Sequence, residues 1–253
     1  MDFLFGDLSA ADLAVIALAF AVGGTVKGTV GMGLPMIAVP IISTVIDPRS
    51  AIATMILPIM GANFLQARVG GSLLETAAAF RALLIPMFLG STVGALLITS
   101  IPTAYAAIIL GSLVSLFAVS TLAGWKPTIP SGVDRRLRPA IGLVSGLVGG
   151  MSSFFAPTVV PYLFSLRLDK TAFVRTMGVI FLVGEAPLFF GLAVSGFAPP
   201  SVWALSAAGW GVVGCAMAIG KRLRDRIPQE RFMTLVGAML LIVGLNMIRR
   251  VLF

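Results

Sequence analysis

The predicted fold rests first on Gly23-Gly24-Thr25-Val26-Lys27-Gly28-Thr29-Val30-Gly31-Met32-Gly33-Leu34-Pro35, a glycine-rich stretch with Pro40 beyond it. A second such stretch reads Gly142-Leu143-Val144-Ser145-Gly146-Leu147-Val148-Gly149-Gly150-Met151-Ser152-Ser153 and precedes Pro157 and Pro161. Relative to alanine, glycine weakens a helix by about 1 kcal/mol and proline by about 3 kcal/mol. Each stretch is therefore predicted to form two helical arms around a non-helical tip.

The rest of the sequence is strongly apolar. Hydrophobic residues make up 58% and charged residues only 11% of the 253 residues, and the mean hydropathy is +1.05. Runs of about 20 apolar residues are long enough to cross a bilayer, so we predict an all-α polytopic membrane protein. Turns expected near Pro102 and Pro199 divide the longest runs. The six predicted spans are 50–67, 82–100, 103–123, 176–197, 201–220 and 232–249.

Matching landmarks in the two parts of the sequence indicate an internal repeat. Gly28-x-x-Gly31 corresponds to Gly146-x-x-Gly149, and Thr54-Met55 corresponds to Thr176-Met177. We predict a first repeat over 1–125, a basic linker over 126–138 and a second repeat over 139–253. Each repeat comprises one broken hairpin, 13–46 or 139–166, followed by three spans. Because three is an odd number, the second repeat is predicted to be inverted relative to the first.

The distribution of basic residues predicts the topology. Cytoplasmic loops are rich in Lys and Arg, so loops 67–81 and 220–231 and the linker are placed inside. Both termini then lie outside. Segment 139–166 must begin and end on the same side, and arms of roughly 11 residues would reach only about 16 Å. That is less than the ~30 Å hydrocarbon core, so both hairpins are predicted to be re-entrant, with their tips meeting near the midplane.

Composition excludes several classes of function. The chain has no His and a single Cys215, which removes His-dependent catalysis, His-ligated metals and disulfides. No P-loop is present, so this chain is not expected to pump by ATP hydrolysis. We expect no enzyme activity, no cofactor and no metal. The net charge of +8 is explained by residues flanking the spans, so nucleic acid is not expected as a partner.

Lys27 is the leading candidate for a functional charge, because charges inside a membrane are costly and usually functional. Snorkelling to an interface is the alternative, although Lys27 lies about 14 residues into its segment. Backbone N–H groups and neutral donors at the two tips would complete one anion site. The predicted substrate-binding residues are Lys27, Gly28, Thr29, Gly31, Gly33, Asn63, Gly146, Gly149, Ser152 and Ser153. Arg175 is the second-choice anion contact.

Glu185 is the acidic residue inside an apolar run, followed closely by Pro187. Because burial raises the proton affinity of carboxyl groups, Glu185 is a candidate proton carrier. A structural ion pair or a neutral hydrogen-bond donor are the alternatives. Gln66, near Asn63, is predicted to form a hydrogen bond between helices instead of a substrate contact.

The paired segments 23–40 and 142–161, each opening a half of about 115 residues, resemble the TauE/SafE family of sulfite exporter-like permeases. The resemblance covers essentially the whole chain. It departs from the family's fuller glycine run at Gly31-Met32-Gly33-Leu34 and at Met151-Ser152-Ser153. It implies export of a small sulfur-containing anion, such as sulfite, sulfoacetate or another organosulfonate, across the cell inner membrane.

A secondary transporter is thus the leading hypothesis, with the anion and the lipid bilayer as partners and the proton as a candidate coupling ion. A passive anion channel, a permease for another small organic anion and a scaffold protein stay open as alternatives. Assembly as a homodimer is also left open.

Overall fold

The computed structural model describes residues 8–46, 48–97, 131–152, 155–194 and 200–252, with isolated positions between 112 and 123. Every regular element in these residues is a helix, which confirms the predicted all-α class for this part of the chain. In chain order the helices are α1 (Ala10–Val30), α2 (Leu34–Ile42), α3 (Pro48–Ala53), α4 (Ile56–Ala67), α5 (Leu73–Leu97), α6 (Ser131–Ser152), α7 (Ala156–Ser165), α8 (Lys170–Val194), α9 (Pro200–Arg226) and α10 (Gln229–Leu252).

Helix α1 begins at a capping box and ends at a left-handed glycine. Ser9 Oγ accepts a hydrogen bond from the Asp12 N–H at 3.2 Å, and the Asp12 carboxylate accepts one from the Ser9 N–H at 3.0 Å. Gly31 has φ 93°, and its N–H donates to the Lys27 carbonyl at 2.8 Å. Gly33, with φ 97°, precedes α2. The break therefore lies at Gly31–Gly33, in backbone that favours glycine.

The expectation of two short arms is wrong for the first arm of each glycine-rich segment. Helices α1 and α6 have 21 and 22 residues. At 1.5 Å per residue they are about 32 Å long, comparable with the hydrocarbon core. The early glycines and Lys27 lie inside α1, and α6 begins at Ser131 within the predicted linker. The second arms, α2 and α7, are short, with 9 and 10 residues.

Four of the described helices are long and apolar enough to cross a membrane, namely Ala10–Val30, Leu73–Leu96, Lys170–Gly191 and Pro200–Arg226. The last three overlap predicted spans. The first is the segment predicted to be a re-entrant hairpin. The predicted span 50–67 is divided into α3 and α4 around Thr54 and Met55. Span 103–123 and the turns near Pro102 and Pro199 lie largely outside the described residues.

The first of two compact units comprises Met1–Gln66 and Phe189–Ile227, and so contains α1 to α4 together with α9. Its core is apolar and includes Phe20, Leu34, Met55 and Val213. Helix α1 packs so closely on α9 that a Cβ added at Gly28 would lie 2.7 Å from the Met217 Cα. One turn earlier, Gly24 faces Val213 in the same way. These two pairs form the α1–α9 glycine contact.

The second compact unit comprises Ala67–Leu188 and Pro228–Phe253. Phe173 joins α8 to its neighbours through edge-on ring contacts with Phe164 and Phe232, at centroid distances of 5.7 and 5.9 Å. Helix α6 packs on α5 with its glycines, since a Cβ added at Gly146 would overlap the Met87 carbonyl. Gly142 faces Leu83 one turn earlier. These two pairs form the α5–α6 glycine contact.

Candidate anion-binding site

The centre of the candidate site is a hydrogen bond between Lys27, in the last turn of α1, and Asn63 on α4. Lys27 Nζ donates to Asn63 Oδ1 at 2.7 Å. Both side chains are buried, with 3% of Lys27 and none of Asn63 exposed. The sequence predicted both residues as substrate contacts, although with Lys27 in a non-helical tip. The structure brings them together 36 residues apart and places a positive charge inside the first unit.

Gln66 joins α4 to the end of α1. Its Nε2 donates to the carbonyls of Lys27 and Gly31, at 3.0 and 3.2 Å. The Lys27 carbonyl also accepts from the Gly31 N–H, so Gln66 adds a second donor there and supplies a donor to the Gly31 carbonyl beyond the helix end. This is the interhelical hydrogen bonding that the sequence predicted for Gln66. Because Asn63 and Gln66 are three residues apart on α4, both face the end of α1.

Arg224, which sequence analysis placed among cytoplasmic loop residues, is buried in α9 with 2% exposed. Its Nη1 donates to the Gly28 carbonyl at 3.3 Å, and its Nε lies 3.8 Å from Asp225 Oδ1. The spacing of Met217, Gly220 and Arg224 could have revealed this position. Residues three and four apart share a helix face, and that face of α9 packs on α1.

Thr29 and α2 complete the surroundings of the helix break. Thr29 Oγ1 donates to the carbonyls of Thr25 and Gly220, at 2.8 and 3.3 Å. Helix α2 starts at Leu34 after Gly33, and its first internal hydrogen bond runs from the Ile37 N–H to the Gly33 carbonyl. The amides before Ile37 belong to the helix start, where the macrodipole is positive. The last turn of α1, which holds Lys27, is therefore followed within a few residues by the N-terminal end of α2.

The predicted residues of the second tip belong to the second unit. Gly146 lies inside α6 and packs on α5, and a Cβ at Gly149 would overlap the Phe155 ring. These glycines permit close packing. Ser153 and the side chain of Ser152 lie outside the described residues. A joint site made by both tips stays a prediction.

Arg175 and Glu185 both lie on α8. The Arg175 guanidinium donates to the Gly70 carbonyl at 2.6 Å, the Val69 carbonyl at 3.2 Å and Thr76 Oγ1 at 3.1 Å. Arg175 thereby holds the connection before α5. Glu185 is half-buried. The proposed roles of Arg175 and Glu185 stay predictions.

A second polar cluster, which sequence analysis did not find, joins α6 to α7 and α5. Tyr162 donates to Asp134 Oδ1 at 2.7 Å, and Arg138 Nε donates to Asp134 Oδ2 at 3.0 Å. Arg138 also donates to the Ala79 carbonyl and lies 4.7 Å from the Phe80 ring centroid. Burial raises the pKa of Asp134, but the hydrogen bonds from Arg138 and Tyr162 outweigh burial and hold that pKa below its usual value.

Four described helices that are long and apolar enough to cross a bilayer indicate a multi-spanning membrane protein. Residues 15–247 match the model of the sulfite exporter TauE/SafE family, and the chain belongs to this family. The match extends over nearly the whole chain and confirms the resemblance seen in the glycine-rich segments. No curated protein and no solved structure gave a significant match.

Proposed function

We propose that this protein is a secondary transporter that exports a small sulfur-containing anion, such as sulfite or an organosulfonate like sulfoacetate. The observation that carries the proposal is the buried Lys27 beside the α1–α2 break. A buried lysine is stabilised by an anionic ligand because removing the charge from water is costly. Sulfite and sulfonates present three oxygens, which suit an ammonium group and the amides at a helix start. Membership of a sulfite exporter family supports the same substrate class.

The α1–α9 and α5–α6 glycine contacts support a repeated architecture. In both, residue numbers rise together along the two helices, so each pair runs parallel. The charge pattern predicts that α5 runs outwards and α9 inwards. Helices α1 and α6 would then enter from opposite sides, as inverted repeats require. The proposal also places both termini on the outer side of the inner membrane. It keeps a broken hairpin in each repeat.

Transport by proteoliposomes tests the proposed function. Wild-type protein should move sulfite or sulfoacetate across the membrane, and Lys27→Met should weaken anion binding by about 10- to 100-fold, the equivalent of one charge-assisted hydrogen bond. Lys221→Met is the matched control, since Lys221 is exposed on α9 and pairs with Asp225. Equal loss in both variants, or none in Lys27→Met, would overturn the role of Lys27.

The proposed topology has its own test. In a Cys215→Ala background, Arg226→Cys at the end of α9 should react with membrane-impermeant thiol reagents only after the membrane is opened. Labelling of Arg226→Cys in intact cells would show that the topology is opposite to the proposed one. A passive anion channel is the competing mechanism, and a fixed ratio of protons to anions would favour the transporter.

A further inference from the structure

The side-chain amide of Gln66 is hydrogen-bonded through its nitrogen within the described residues. The side chain is buried, with 1% exposed. Its Nε2 donates to two backbone carbonyls, and this fixes which end of the amide is nitrogen, because a carbonyl accepts only from a donor. Gln66 Oε1 consequently points the other way. No residue that the structure describes donates a hydrogen bond to it.

A buried acceptor without a donor is costly, by roughly 1–3 kcal/mol, and native proteins leave few of them. This acceptor belongs to the side chain that holds the Lys27 carbonyl, one helical turn from Asn63, which accepts from the Lys27 ammonium group. Lys27, Asn63 and Gln66, here called the Lys27 cluster, carry two unlike groups. The Lys27 ammonium attracts negatively charged oxygens, whereas Gln66 Oε1 attracts an O–H or N–H group.

We propose that the anion bound at this cluster carries its own hydrogen-bond donor, which Gln66 Oε1 accepts while Lys27 holds the anionic oxygens. The inference rests on the proposed function and narrows its substrate class, because fully ionised sulfoacetate has no O–H or N–H group and falls outside it. A fully deprotonated anion without any O–H or N–H group leaves Gln66 Oε1 unsatisfied. Two ligands have the required chemistry: hydrogen sulfite, whose donor is on the anionic group, and a sulfonate with a hydroxyl group on a neighbouring carbon.

A matched pair of sulfonates tests the donor directly. Calorimetry on the purified full-length protein would compare 2-hydroxyethanesulfonate with ethanesulfonate, which differ by one hydroxyl group. One additional hydrogen bond predicts that the hydroxylated anion binds about 3- to 10-fold more tightly. Gln66→Met, similar in length but without the amide, should bring the ratio close to one. Gln229→Met, at the start of α10, is the control and should keep the wild-type ratio.

Sulfite distinguishes the two sources of the donor. Its last proton titrates close to neutral pH, whereas ethanesulfonate keeps one charge throughout, so the pH dependence of their affinity ratio reports the protonated form. Stronger relative binding of sulfite on the acid side, lost in Gln66→Met, would show that the donor resides on the anionic group. A preference only between the two sulfonates would place the donor on a carbon.

The outcomes separate this inference from the proposed function. If wild-type protein binds both sulfonates equally and shows no preference for hydrogen sulfite, the inference is wrong while anion binding stands. If a preference persists in Gln66→Met, the acceptor is another group and the inference is equally wrong. If the protein binds no anion, the proposed function itself fails. If Gln66→Met does not fold, equal binding of the two sulfonates and no preference for hydrogen sulfite in the wild-type protein would still overturn the inference.

Discussion

Lys27 and Asn63 are joined by a 2.7 Å hydrogen bond between two side chains that are almost completely buried. An amide oxygen orients the ammonium group without neutralising it, because it carries only a partial charge. A carboxylate at position 63 would instead form an ion pair with Lys27. An amide at position 63 is therefore compatible with the proposed binding of an anion at Lys27.

Asn63→Asp should weaken anion binding by about 10- to 100-fold, since the new carboxylate competes for the Lys27 ammonium group. Stability should change less, because the side chain keeps its shape and an acceptor for Lys27. Calorimetry with sulfite and thermal unfolding would measure the two effects. Wild-type affinity in Asn63→Asp would show that Lys27 does not contact the anion.

Gly28→Ala should destabilise the protein by about 1–3 kcal/mol, a typical result of overpacking. The added methyl group would press on the backbone of Met217, which cannot move aside like a flexible side chain. Gly214→Ala on α9 is the control, since a Cβ there meets no atom within 4 Å. The two melting temperatures in detergent provide the comparison. Equal melting temperatures would contradict the α1–α9 glycine contact.

Gly31→Val should abolish transport through backbone strain at φ 93°, and not by filling a substrate path. A side chain in left-handed backbone costs roughly 1–2 kcal/mol, and among residues with a side chain asparagine is one of those that tolerate this region best. Gly31→Asn should therefore retain more stability and transport than Gly31→Val. Transport assays on both variants at matched expression would decide. Identical losses in the two would indicate that space, not conformation, matters at this position.

The Asp134 cluster predicts an acid-sensitive contribution to stability. Because the folded state holds the pKa of Asp134 below its ordinary value of 3.8, its contribution is present above that value and lost as the pH falls below it. Tyr162→Phe removes a hydrogen bond to a charged group and should cost about 1.5–3 kcal/mol at neutral pH. The free energy of unfolding, measured between neutral and acid pH, should fall less on acidification in Asp134→Asn than in the wild type. An equal fall in the two proteins would contradict this role of Asp134.

Glu185→Gln should preserve anion binding and weaken transport driven by a pH gradient, since glutamine cannot carry a proton. Flux into proteoliposomes with and without the gradient measures the difference. Normal gradient-driven flux in this variant would show that Glu185 is structural.

The sequence predicted the two broken segments well, but not the positions of their breaks. Glycine propensity suggested a non-helical tip from Gly23 onwards, whereas α1 continues to Val30. Packing explains the difference, because Gly24 and Gly28 let α9 approach closely, and this close helix packing outweighs the small loss in helix propensity. The break occurs instead at Gly31 and Gly33, where the backbone adopts positive φ.

Composition and apolar run length by themselves determined that this protein is a helical membrane protein with a charge at Lys27, because run length and the position of a charge within a run are local properties of the sequence. Only the tertiary structure decided what surrounds that charge. Asn63, Gln66 and Arg224 reach the end of α1 from other helices, and no local pattern specifies which distant side chain completes a hydrogen bond. Arg224 lies near the basic end of α9 and is buried there because α9 packs against α1.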